Sequence, residues 1–296
     1  METLETLQRR IAISRDLQSI VRTMKTLSAV TMRRSERASR AVRAYDETVG
    51  MGLQILLRDP EVAQLAIAAS ERAVHEGAGV IVLGSDHGLC GRFNDAAVRA
   101  ALDEIQDLHE EKVMVSAVGG RAAELLESAG HRPTALFSTP GSVTGLRETT
   151  GALLSLIDDW QSARGIGRVR IVHTVETPDT PIRPVAVQIL PISPGYLRHQ
   201  AAKPWPSRRL PTYTEDREVV LAQLLREHVF VRIYRALAEA QASEHAARLA
   251  AMQGAEAGIR DHLEEMDAEY RRRRQEEITT EVLDIVAGAT ALGANR

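Results

Sequence analysis

Asp86, His87 and Cys90 fall within one glycine-rich stretch, Gly84-Ser-Asp-His-Gly-Leu-Cys-Gly91. A carboxylate, an imidazole and a thiol so close together have the chemistry of a metal site or of a nucleophile with its base. The spacing argues against both. Cys90 is the single cysteine of the chain, so no second thiolate stands at zinc spacing, and a Cys-His pair needs a third group to orient the base. The other histidines are scattered without an HExxH pattern. The stretch follows the apolar run Gly79-Val-Ile-Val-Leu-Gly84, and a glycine-rich loop after a strand is where an α/β sheet takes phosphates. Yet neither GxxxxGK[ST] nor GxGxxG is present. The pattern leaves a structural turn or a loop presented to a partner, and no catalytic residue, metal ligand or cofactor is expected.

Four arginines in a row, Arg271 to Arg274, suggest a nucleic-acid surface. They lie in a helical pattern, and successive helix residues turn by about 100°, so the four encircle the helix and cannot share one phosphate backbone. Asp267 precedes Arg271 by four and Glu269 precedes Arg273 by four, the favourable order for helix ion pairs. With Asp261, Glu264, Glu265, Glu276, Glu277 and Glu281 nearby, the local balance is acidic, and the net charge of the chain is -3. A nucleic-acid partner is therefore not expected. The paired carboxylates Glu264-Glu265 and Glu276-Glu277 read as a solvated helix face.

The elements that carry these residues follow from proline. All 11 prolines lie between Pro60 and Pro211, and a proline costs about 3 kcal/mol inside a helix. The proline-free ends predict two long helices around a mixed middle, with divisions at 1–59, 60–211 and 212–296. On the N-terminal arm Leu4, Leu7 and Ile11 follow helical steps, which resume after a phase slip at Ile13, Leu17, Ile20, Met24 and Leu27. On the C-terminal arm Leu249, Met252, Ile259, Leu263, Met266 and Tyr270 do the same, with Glu256 breaking the series. A helix of some 80 residues would be about 120 Å long and must pair with another helix. Several shorter helices, broken at Gly254 and Gly258, are the alternative. In the middle, strands at 79–84, 112–118, 169–172 and 185–190 alternate with helices at 94–109, 121–129 and 144–160. This pattern predicts an α/β layer with a parallel core and one or two edge strands, and 194–211 reads as a connector. Aromatics are only 3% of the chain, in keeping with Leu, Val and Ala packing. No apolar run is long enough to span a membrane, and the N-terminus reads as neither a secretory signal nor a transit peptide.

Three stretches together resemble the gamma subunit of F-type ATP synthases: Leu7-Gln-Arg-Arg-Ile-Ala-Ile with Ile20 to Arg34, Gly84 to Asn94, and Ala242 to Met252 with Arg274-Gln275 and Ile278 to Leu292. Their order and spacing match from end to end. The resemblance implies an antiparallel coiled coil of the terminal helices with an α/β (Rossmann-like) domain between them. It implies a non-catalytic central rotor: the coiled coil inside a ring of three alpha and three beta subunits, the foot with the epsilon subunit on the membrane ring of c subunits. Membrane association would be indirect, on the cytoplasmic side of a bacterial plasma membrane. Met24, Arg248, Arg274, Gln275, Thr279 and Glu281 match family positions that contact the beta subunit. Asp86, Gly88, Leu89, Cys90, Gly91 and Asn94 match the foot loop, and Ile285 to Leu292 the apolar tip. Arg271 to Arg273 would be shaft-surface charges paired with Asp267, Glu269, Glu276 and Glu277.

The chain departs from the family at His87 (usually Arg or Gln), at Arg92 (usually Gly), at Arg271 (commonly Asn) and at Val172-His173-Thr174 (usually a strand followed by Tyr-Asn). These departures suggest a divergent member, as an additional operon for an N-type, sodium-translocating ATPase would encode; the ion is set in the c ring, so this chain does not decide between proton and sodium. The two-cysteine insertion of chloroplast-type regulation is absent. The competing readings are a coiled-coil scaffold with an α/β adaptor domain, and a nucleotide-dependent α/β enzyme with helical arms.

Overall fold

The computed structural model describes residues 3–71, 77–108, 110, 112–177, 179–209 and 211–293. The chain divides into two compact units, one of Met1–Leu27 with Leu249–Arg296 and one of Ser28–Arg248. Two helices contribute to both: α1 (Leu4–Leu56) and α7 (Arg217–Gly293). Neither holds a proline, and α7 continues through Gly254 and Gly258 without a break.

In the first unit Leu7 and Ile11 of α1 are buried against Leu263 and Met266 of α7, with Ile259 and Tyr270 packed beside them. The pairing is antiparallel. Arg15 bonds Asp267 at 3.2 Å, and further along α1 Arg22 bonds Glu256 at 3.3 Å, earlier on α7. The phase slip has a physical outcome: past it, Ile13, Leu17, Ile20 and Leu27 are 52%, 48%, 55% and 65% exposed. The buried seam therefore uses Leu7 and Ile11, and of the apolar series after the slip only Met24 stays half-buried.

The second unit holds a five-stranded sheet in the order β3-β2-β1-β4-β5. Its strands are β1 (Ala78–Leu83), β2 (Val113–Val118), β3 (Leu136–Phe137), β4 (Arg168–Thr177) and β5 (Thr180–Leu190). The first four are parallel and β5 is an antiparallel edge. Every residue of β1 is buried, as expected of a strand covered on both faces. Val80 and Val82 pack under α3 (Phe93–Asp107) and α4 (Gly120–Ser128). Ile81 and Leu83 face α5 (Val143–Arg164) and the part of α7 around Ile233. Gly79 makes this second face possible: a Cβ there would lie 2.3 Å from the ring of Trp160.

The sequence expectations miss elements where proline sits. α2 (Pro60–Glu71) and α6 (Pro194–Ala202) both begin on proline, and α6 occupies the segment expected to be a connector. At a first helical position the missing N–H has no partner to lose. β5 extends back through Pro184, which an edge strand tolerates. The helix expected to end at His109 ends at Asp107, and His109 lies outside the described residues.

Candidate functional site

The glycine-rich stretch is a braced loop. Asn94, at the start of α3, accepts from the Ser85 backbone N–H at 2.9 Å and donates to Ser85 Oγ at 2.8 Å. Ser85 Oγ donates to the His87 carbonyl at 2.6 Å. Asp86 accepts from the Gly120 N–H at 3.0 Å with one oxygen, and from the N–H and hydroxyl of Thr139 at 2.9 and 2.7 Å with the other. Burial alone would raise the Asp86 carboxyl, but the bonds from Thr139 and Gly120 outweigh it and hold the group below its ordinary value. Gly119, at φ 100°, lets the backbone pass Ser85: a Cβ there would lie 2.6 Å from the Ser85 carbonyl carbon.

Cys90 is buried, and burial pushes its thiol up. Its sulfur lies 3.6 Å from Ser85 Oγ and 3.5 Å from Asn94 Nδ2, and it meets the His87 carbonyl at 3.8 Å. A raised, enclosed thiol is a packing residue. His87 and Gly88 are exposed. Leu89 takes φ 63° and is 61% exposed, so the loop holds an apolar side chain outward at a backbone conformation that costs energy for a non-glycine residue.

The loop rests on α7. Ala247 packs with Cys90 and Phe93. Arg248 is only 9% exposed; it bonds Glu244 at 2.7 Å and donates to the Gly88 carbonyl at 3.4 Å. Burial raises the Glu244 carboxyl against the opposing pull of Arg248. Burial first, and Arg248 second, push the neighbouring His245 down to about 4. Glu244 and His245 were not singled out in the sequence, although the four-residue step from Glu244 to Arg248 was visible there. The structure thus places Arg248 beneath the foot loop, in a different unit from the other residues expected to contact a beta subunit.

Those others lie in the first unit. Met24 is half-buried on α1. Arg274, Gln275, Thr279 and Glu281 are all exposed on α7, where Arg274 and Glu281, seven apart, share a side. Ile278, Val282 and Ile285 lie on the same half of the helix and are 52%, 52% and 66% exposed, and Leu283 and Val286 are exposed as well. Exposed apolar residues interleaved with hydrogen-bonding ones make a surface suited to a protein partner. The side chains of Gly288 to Leu292, the rest of the expected tip, lie outside the described residues. The arginine run divides: Arg273 bonds Glu269 as expected, whereas Asp267, the expected partner of Arg271, is bonded by Arg15 of α1.

The family model described as ATP synthase matches residues 3–292. Gamma chains of ATP synthase from Burkholderia thailandensis and Burkholderia cenocepacia are each 28% identical over 99% of this chain and 100% of their own length. This chain belongs to the ATP synthase gamma family. Among solved structures, a chain of the Euglena gracilis mitochondrial ATP synthase (OSCP/F1/c-ring, rotational state 3) matches with a TM-score of 0.66 and 17% identity, over 99% of this chain and 95% of that one. A chain of the Tetrahymena thermophila mitochondrial ATP synthase central stalk and c ring matches with a TM-score of 0.59 and 19% identity, over 80% of this chain and 99% of that one. At such identities the likeness speaks for the fold: long terminal helices around an α/β sheet, as the gamma-family chain has here. Among the described residues, no helix is long and apolar enough to cross a membrane.

Proposed function

We propose that this gamma-family chain is the central rotor of an ion-translocating ATP synthase. Its paired helices turn inside an alpha3-beta3 ring, and its α/β foot stands with an epsilon subunit on a c ring. Rotation couples ion flow to ATP synthesis or hydrolysis at the beta subunits, and the chain itself catalyses nothing. The functional divisions are 1–59 and 212–296 as the shaft and 60–211 as the foot. The complex places the chain on the cytoplasmic side of a bacterial plasma membrane, held there through its partners.

The observation that carries this reading is the exposed face of α7 on which Arg274, Gln275, Thr279 and Glu281 alternate with Ile278, Val282 and Ile285. A helix that met only water would have no reason to expose Ile278, Val282, Leu283, Ile285 and Val286 together. Arg274 and Gln275 are the residues that grip a beta subunit, and Met24 lies at the beta lever. In the foot, the braced loop from Asp86 to Asn94 presents Leu89 to a partner, while Arg248 supports the loop from behind. The test is the assembled complex with Arg274→Ala and Gln275→Ala. Coupled ATP turnover should fall while the helicity of the isolated chain stays unchanged. Unaltered turnover removes the contact assignment.

A further inference from the structure

Within the Ser28–Arg248 unit, an open cavity of about 620 Å³ lies between α2, the end of α5, the end of β5, α6 and the start of α7. It falls where two parts of the core do not merge. Ile166, on one wall, belongs with Trp160 to the core under the sheet. Leu197 and Leu221, on another, belong to the core that α1, α2, α6 and α7 share. Ile192 packs against both.

Of the lining side chains only Ser70, Gln161 and Glu218 are polar. The Ser70 hydroxyl is committed to the Ile192 carbonyl, and Gln161 is neutral. Glu218 is therefore the one charged group in the lining. It is exposed, and the cations beside it are taken by other carboxylates: Arg217 by Asp59 at 2.8 Å and Glu61 at 3.5 Å, and Arg198 of α6 by Glu71. A concave apolar space of this size with a few polar groups has the make-up of a small-molecule site. Its single uncommitted charge is negative, and no lining residue is a cation.

We propose that this cavity binds a small amphipathic amine. The apolar body lies against Ile166, Ile192 and Leu221, and the ammonium head pairs with Glu218. Burial of the body is driven by the apolar area it removes from water. The head sets the ligand class, because a body of given length meets the same walls whatever it carries. A fatty acid brings a second carboxylate to Glu218, and a neutral alcohol gains the walls alone. The expected ranking at equal chain length is amine, then alcohol, then carboxylate.

The experiment titrates decylamine, decanol and decanoate, each below its micelle concentration, into the purified full-length chain at neutral pH and low salt, read by calorimetry. Saturable decylamine binding is expected, tighter than decanoate by about fivefold or more, with decanol between them. Glu218→Gln should weaken decylamine and bring the three ligands close together. Glu215→Gln removes the same charge outside the cavity lining and should leave the ranking unchanged. Ala222→Trp should fill the cavity and abolish binding of all three. Circular dichroism, with and without ligand, establishes that each protein is folded. If Ala222→Trp does not fold, Ala69→Trp fills the cavity from α2, and the wild-type and Glu218→Gln rankings decide in any case. No saturable decylamine binding, equal affinity for amine and carboxylate, an unchanged ranking in folded Glu218→Gln, or full binding by a folded tryptophan variant overturns the proposal.

Discussion

Glu256 of α7 is bonded by Arg22 of α1 at 3.3 Å and also by Lys25. It stands where the apolar series of α7 is interrupted, so the interruption is a charged clasp between the two helices. Such a clasp specifies register more than it adds stability, because an exposed ion pair gains little and a slipped pairing would leave Glu256 without either cation.

The hydrogen bonds from Lys25 and Arg22 hold the Glu256 carboxyl below its ordinary value. A depressed carboxylate contributes stability above its unfolded value, about 4.3, and loses it as pH falls through the folded one. Glu256→Gln should therefore lower the melting temperature slightly at neutral pH, and the difference should vanish in acid. Scans at several pH values check this; an equal difference at all pH would reject the clasp.

Gly79→Ala should be among the most damaging single substitutions in the foot. The added Cβ would lie 2.3 Å from the Trp160 ring, which is itself 1% exposed. Overpacking of this kind costs about 1–3 kcal/mol, occasionally more, readable as a lower urea midpoint.

Arg248→Ala should destabilise the Ser28–Arg248 unit more than its size suggests, because it leaves the Glu244 carboxylate buried without its cation. Breaking a buried pair from one side costs about 3–5 kcal/mol. The double variant Glu244→Ala with Arg248→Ala should be more stable than Arg248→Ala alone. A denaturation cycle in which the two losses simply add would refute the coupling.

Cys90 should resist thiol reagents in the folded chain and react fully in denaturant, since its sulfur is enclosed by Ser85 and Asn94 and its thiol is raised by burial. Rapid labelling of the native protein would show that the loop opens.

The central strands were legible because Val80 to Leu83 form an apolar run bounded by glycines, a local signal. β3 was not, since Leu136 and Phe137 make a strand only by pairing with Ala117 and Val118. α2 and α6 were hidden because a proline reads as a break unless the helix is known to start on it. The foot loop was recognisable from its residues, but its support was not: the partners of Asp86 lie 34 and 53 positions away, and no local pattern links them. For Arg248, helix spacing showed the step from Glu244 but not which side the fold would bury. On the distal part of α7 the Glu269–Arg273 pair was legible, because a four-residue step on one helix is a local signal, whereas the bond from Arg15 to Asp267 was not, because it comes from another helix.

The chain has two tryptophans, Trp160 and Trp205, and both lie in the Ser28–Arg248 unit. Trp160, pressed onto Gly79, is thereby an optical reporter placed by the fold itself. Its emission should be blue-shifted while the sheet is intact and move to the red as the sheet opens. Residues up to Leu27 and from Leu249 on contribute no indole signal but are helical and add to the far-ultraviolet ellipticity. Fluorescence and circular dichroism recorded on the same melt should then separate the loss of the sheet from the loss of the helix pair.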